Sequence, residues 1–120
     1  MGRPVVHFEI CVADYPKHVE FYSKAFDWKI DDNNPMHYGM VTTGGEGGIN
    51  GGIMKAEGFI HPYLTFYIHV DSLEDSLKTI ESLGGKTVVQ PMDIPGVGRT
   101  AFFKDPQGHI LGLFTPAMKG

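Results

Sequence analysis

The chain opens with alternation. In Val6 to Val12, the residues Val6, Phe8, Ile10 and Val12 fall on one side of an extended strand, and His7, Glu9 and Cys11 fall on the other. From Leu64 to Val70 the pattern returns. Leu64, Phe66, Ile68 and Val70 form an apolar face, and Thr65, Tyr67 and His69 form the opposite one. After each strand the spacing of apolar residues changes to that of a helix. Asp14 is positioned to cap the first helix, with Pro16 tolerated in its first turn and Val19, Tyr22 and Phe26 as its stripe. Ser72 and Asp75 form a capping box for the second, whose stripe is Leu73, Leu77, Ile80 and Leu83 and whose end is Gly84-Gly85. Shorter strands follow each helix. They are expected at about Trp28 to Asp31, Tyr38 to Thr43 and Ile49 to Lys55, and again at about Lys86 to Gln90, Arg99 to Lys104 and Ile110 to Phe114. Asp105 to Gly108 (DPQG) and Pro95 to Gly98 (PGVG) read as turns between strands.

The two halves are therefore copies of one pattern. Laying residue 7 over residue 65, an offset of 58, matches Phe8 with Phe66, Ile10 with Ile68, Val12 with Val70, Val19 with Leu77, Tyr22 with Ile80 and Ile30 with Val88. The change of period occurs at the same place in both halves. The expected fold class is α+β. Two tandem βαβββ modules, about 5–57 and about 63–116, form an eight-stranded curved sheet, an open barrel or cup with the helices outside.

Composition narrows the function classes. At 120 residues the chain is expected to be one domain able to bury its own core. The net charge of −4 and the lack of a basic run speak against nucleic acid as a partner. A single cysteine, Cys11, rules out an intramolecular disulfide and suits a reducing cytoplasm. No run is long and apolar enough for a membrane span, and the first residues lack the features of a signal peptide.

The stretch TTGGEGGINGGIM, Thr42 to Met54, places six glycines between positions 44 and 52. No Gly-Lys-Ser/Thr ends it, so it is not a phosphate-binding P-loop, and its spacing fails the dinucleotide fingerprint. Gly44 to Gly48 read as a turn, and Gly51-Gly52 as strand.

The paired modules, the opening VVHFEICVADYPKHVEFYSKAFDWKI and the closing FFKDPQGHILGLF together resemble the vicinal oxygen chelate superfamily of glyoxalases, bleomycin-resistance proteins and extradiol dioxygenases. The resemblance implies a four-ligand metal site in the cup, with two ligands from each module. Carried onto this sequence, those positions fall on His7, Thr65, Gly51 or Gly52, and Gly112. Only His7 is a usual ligand, and one histidine does not hold a catalytic divalent ion. The resemblance also implies a homodimer.

The expected function is therefore a glyoxalase/bleomycin-resistance/dioxygenase-like protein that has lost most of its metal site and takes a small organic ligand, with His7 and Glu9 as candidate acid-base groups. Thr65, Tyr67, His69, Met54, Gly112 and Phe114 would line the cup, the aromatic members suiting a planar or greasy ligand. No resident cofactor is expected. One alternative is a lyase or dioxygenase holding zinc, iron, manganese or nickel on His7, Glu9 and His69. Another is a protein that sequesters an antibiotic or metabolite without turnover. Cys11 reads as a small buried apolar residue rather than a nucleophile. His18, His37, His61 and His109 read as surface residues, with Asp105 capping its own turn.

Overall fold

The computed structural model describes residues 2–117. Among these, the elements are β1 (Val5–Val12), α1 (Tyr15–Phe26), β2 (Lys29–Asp31), β3 (Gly39–Thr42), β4 (Gly51–Lys55), β5 (Tyr63–His69), α2 (Leu73–Ser82), β6 (Lys86–Ile94), β7 (Gly98–Lys104) and β8 (Ile110–Pro116). This is the α+β, tandem βαβββ arrangement that the two alternating stretches and two helical stripes call for. The chain divides into two compact units, Val6–Thr65 and one built from Phe66 onward together with the first residues.

In the first unit the strand order is β2-β3-β4-β1. β3 runs antiparallel to β2 and to β4, and β1 pairs with β4 in parallel. A parallel pair needs a crossover connection, which α1, β2 and β3 provide. Its register sets Phe8 beside Gly51, Glu9 beside Gly52, Ile10 beside Ile53 and Cys11 beside Met54. Asp14 caps α1 by accepting a hydrogen bond from the Lys17 N–H at 3.2 Å, and the helix ends at Asp27 in the left-handed conformation. Val12, Val41 and Ile53 are the buried centre, with Phe8, Ile10, Val19, Tyr22, Trp28 and Ile30 packed on them. Phe26, expected in the stripe, is 58% exposed. It lies on the last turn and meets Trp28 at the rim, with ring centroids 5.7 Å apart.

The second unit repeats the order as β5-β8-β7-β6, with β5 parallel to β8 and β7 antiparallel to both neighbours. Val70, Leu73, Leu77, Ala101, Phe103 and Leu113 form its core. Ser72 caps α2 by accepting from the Asp75 N–H at 3.1 Å. Leu83, the expected last member of the stripe, is mostly exposed. The helix stops at Ser82, Leu83 is its C-cap, and Gly84, at φ +100°, turns the chain away directly after it.

Two further expectations are corrected. β6 continues past Gln90 to Ile94 in spite of Pro91, because it is an edge strand with register shifts, where a missing N–H and a bulge are tolerated. In β5 the apolar face is only partly inside. Ile68 packs on the core and Val70 is buried, yet Leu64 is 74% exposed, while Thr65 and Tyr67 on the opposite face are buried. The pairing with β8 begins at Tyr67, three residues beyond Leu64.

Candidate functional site

The alternation of β1 decides which of its side chains are available for chemistry. Phe8, Ile10 and Val12 turn towards the core of the first unit, and His7, Glu9 and Cys11 turn the other way. Glu9 is nonetheless buried, at 5% exposure. A buried carboxylate needs hydrogen-bond donors, and two phenols supply them. Tyr38 donates from its hydroxyl to Glu9 Oε1 at 2.8 Å, and Tyr63 donates to Oε2 at 2.5 Å. The Tyr38 oxygen also lies 2.9 Å from His7 Nε2, and the two rings stack with an interplanar angle of 20°.

This arrangement fixes the imidazole tautomer. Tyr38 has one hydroxyl proton, and it is directed at Glu9. His7 Nε2 must then carry a proton and donate it to the phenol oxygen, which leaves the lone pair on Nδ1. The chain of contacts His7–Tyr38–Glu9 is thus continuous from an imidazole to a carboxylate.

Tyr38 is placed by two devices. Its backbone is clamped by Asn34, whose Oδ1 accepts from the Tyr38 N–H at 2.9 Å and whose Nδ2 donates to the Tyr38 carbonyl at 2.7 Å. His37, just before it, takes the left-handed conformation at φ 52° and turns the chain into β3. The Tyr38 ring then lies on Gly52. A Cβ at Gly52 would overlap the phenol oxygen, Cζ and Cε2 of Tyr38. The neighbouring glycine has a different task. A Cβ at Gly51 would overlap the carbonyl oxygen and ring of Phe8, so Gly51 lets β1 and β4 approach on the core side. Of the two glycines that the sequence left open, Gly52 is the one on the face of Glu9.

The second unit holds a parallel case. Tyr67 on β5 pairs with Gly112 on β8. A Cβ at Gly112 would overlap the Tyr67 ring, which also meets Phe102 edge-on at 5.5 Å. In each module a tyrosine ring covers the last-strand glycine.

Of the residues singled out from sequence, His7 and Glu9 are brought together through Tyr38. Met54 joins them through Tyr63, whose hydroxyl is 3.7 Å from its sulfur. Thr65 is buried, Tyr67 and Gly112 are in contact, and His69 and Phe114 are register neighbours in β5 and β8. Cys11 is buried, and burial pushes its thiol pKa up, with the Glu9 charge adding to the effect; such a thiol is a poor nucleophile. His109 is exposed but held at 2.9 Å from Asp105, whose other oxygen caps the turn backbone at Gln107, Gly108 and His109.

Two members of the site were missed in the sequence. Tyr63 shares strand parity with Thr65 and Tyr67, a signal that could have found it. Tyr38, expected as the first residue of a strand, lies just before β3 in the structure, and nothing in the local pattern singled it out.

The donor chemistry at the positions implied for a metal can be tested directly. His7 offers an imidazole whose Nε2 is engaged by a phenol, Thr65 a neutral hydroxyl, and Gly52 and Gly112 nothing, each lying under a ring. Among the described residues no three His, Cys, Asp or Glu side chains are grouped to hold a metal ion. These residues do not fit the three or more protein ligands that a catalytic divalent ion takes.

Burial pushes the His7 pKa below the ordinary histidine value, against a smaller upward pull from Glu9. The neutral imidazole is therefore the form the fold prefers. As pH falls below about 6.5, the unfolded chain takes up a proton that folded His7 resists, so stability declines until the folded pKa is reached. An NMR titration of the His7 ring should give a midpoint below about 6.5, and His7→Gln should flatten the fall in stability over that window. A midpoint at or above the ordinary value would contradict this burial.

Comparison with known proteins agrees with the fold. The model of the Glyoxalase/Bleomycin resistance protein/Dioxygenase superfamily matches residues 5–113. The chain belongs to this superfamily. Among its relatives is the anthracycline biosynthesis protein DnrV of Streptomyces peucetius, 26% identical over 89% of this chain and 45% of DnrV. The chain spans less than half the length of the curated relatives it matches. Solved structures of the same fold include methylmalonyl-CoA epimerase from Mycobacterium tuberculosis, 18% identical, with a TM-score of 0.71 over 95% of this chain and 88% of that one. A hypothetical protein from Bacillus halodurans is 14% identical, with a TM-score of 0.76 over 100% and 99% of the two chains. Members of the superfamily typically use a divalent metal. Among the described residues no helix is long and apolar enough to cross a membrane.

Proposed function

We propose that this superfamily member binds a small organic molecule beside the His7–Tyr38–Glu9 network and moves protons there without a bound divalent ion. The observation that carries the reading is the Tyr38 hydroxyl, hydrogen-bonded at once to Glu9 Oε1 and His7 Nε2. A side-chain relay of this kind can take a proton at one end and pass it along, with His7 Nδ1 as the atom bearing the lone pair. The phenols of Tyr38 and Tyr63 donate to the two carboxylate oxygens and hold the group in one orientation. Met54, at the Tyr63 hydroxyl, offers a polarizable surface suited to an apolar or aromatic ligand. Within the first unit Thr65 is proposed as a further ligand contact, and within the second unit, taken by itself, Tyr67, His69, Gly112 and Phe114 are proposed as ligand contacts. The working form is proposed to be a homodimer, as the superfamily resemblance implies.

DnrV carries a name from anthracycline biosynthesis. Aromatic ketones are therefore the first compounds to try, followed by 2-oxo aldehydes. Thermal shift identifies binders, and NMR in deuterated solvent then reads exchange of acidic C–H protons in any binder. Glu9→Gln, with binding retained, should abolish that exchange. Binding with no exchange in the unaltered protein would favour sequestration without turnover. A stoichiometric zinc, iron, manganese or nickel ion in protein purified without chelator, lost on His7→Ala, would overturn the metal-free reading.

A further inference from the structure

We propose that Tyr38 is the residue that decides what the His7–Glu9 pair binds. Its phenol fills, from the segment before β3, the volume that a side chain at position 52 would fill, and so closes the pair to cations. The inference deepens the metal-free reading above and rests on it.

Three observations support it independently of any ligand. The first is steric. The tip of the phenol lies where a Cβ at Gly52 would project, so Tyr38 and a side chain at 52 exclude one another. The second is polar. The phenol oxygen is 2.8 Å from Glu9 Oε1 and 2.9 Å from His7 Nε2, a carboxylate oxygen and an imidazole nitrogen converging on one point. An anionic oxygen and an imidazole nitrogen are the usual partners of a divalent cation. Here a hydroxyl satisfies both, donating to one and accepting from the other, and the imidazole is held with its proton on the nitrogen that a metal would need. The third is positional. The double hydrogen bond from Asn34 clamps the Tyr38 backbone on both sides, so the phenol is a fixed part of the site.

The physical consequence is a swap. Removing the phenol and placing a carboxylate at position 52 puts a third ligand next to His7 and Glu9, because β1 and β4 hold Glu9 and Gly52 side by side in register. All the groups involved lie within the first unit, Val6–Thr65.

The test is cobalt(II) binding to the full chain, followed by visible absorption and calorimetry. The Tyr38→Ala/Gly52→Glu variant should bind Co²⁺ at least tenfold more tightly than the unaltered protein. Adding His7→Ala to that variant should remove the gain. A folded double variant, checked by circular dichroism, that binds no better than the unaltered protein overturns this inference and leaves the metal-free reading standing. Tight Co²⁺ binding by the unaltered protein, lost on His7→Ala, sinks the metal-free reading itself. Should the double variant not fold, Tyr38→Phe decides. It keeps the ring on Gly52 and removes only the hydroxyl. The ring-nitrogen NMR shifts of His7 should then leave the Nε2–H tautomer pattern, and unchanged shifts overturn the inference.

Discussion

Gly52→Ala is expected to leave the fold in place and to dismantle the site. The added methyl would overlap the end of the Tyr38 side chain, and a side-chain end can swing away where backbone cannot. Once it swings, Glu9 loses the donor on Oε1 and His7 loses the phenol that fixes its tautomer. The cost in stability should be about 1–3 kcal/mol, the range for overpacking a filled interior, with the lost buried hydrogen bonds contributing part of it. The effect on function should be larger than the effect on stability. Any ligand-dependent proton exchange should fall at least tenfold while the circular dichroism spectrum stays the same. Urea unfolding gives the first quantity and deuterium exchange of a bound carbonyl compound gives the second. Retention of full exchange in Gly52→Ala would show that Tyr38 has no part in it.

The neighbouring substitution should behave in the opposite way. Gly51→Ala directs its methyl at the carbonyl oxygen of Phe8, which is backbone in the partner strand, and at the Phe8 ring. The carbonyl cannot retreat without opening the parallel β1–β4 pairing, and Ile53, fully buried two residues on, is tied to the same register. A loss of about 3 kcal/mol or more is expected, at or above the top of the usual range for overpacking. A domain of this size has only about 5–15 kcal/mol in total. The urea midpoint of Gly51→Ala should therefore fall well below that of Gly52→Ala, and expression of folded protein should suffer. Equal midpoints for the two variants would mean that the backbone approach at Gly51 is not as tight as its geometry implies. Adjacent glycines thus serve separate ends: Gly51 makes room for a strand and Gly52 makes room for a phenol.

His7 and Glu9 could be read as partners because strand parity places them on one face two residues apart, and that much is local. Tyr63 follows the same parity rule through Thr65 and Tyr67. Tyr38 could not be found this way. It is 29 positions from Glu9 and 31 from His7, it precedes the regular part of β3, and its placement depends on a clamp from Asn34 and a left-handed turn at His37. Leu64 failed for a related reason. Its parity placed it on the apolar side, but which parts of a strand face are covered depends on where the neighbouring strand and helix begin.

The amino-acid order alone determined the duplicated βαβββ plan, the helix caps at Asp14 and Ser72, and the absence of ligating side chains at positions 51, 52 and 112. These follow from the local rules of alternation, stripe and cap, together with residue identity, each of which acts over a few residues. The tertiary structure alone decided which of the paired glycines faces Glu9, and what fills the space over it. Those outcomes depend on the register between strands distant in sequence, and a shift of one residue would exchange the two faces.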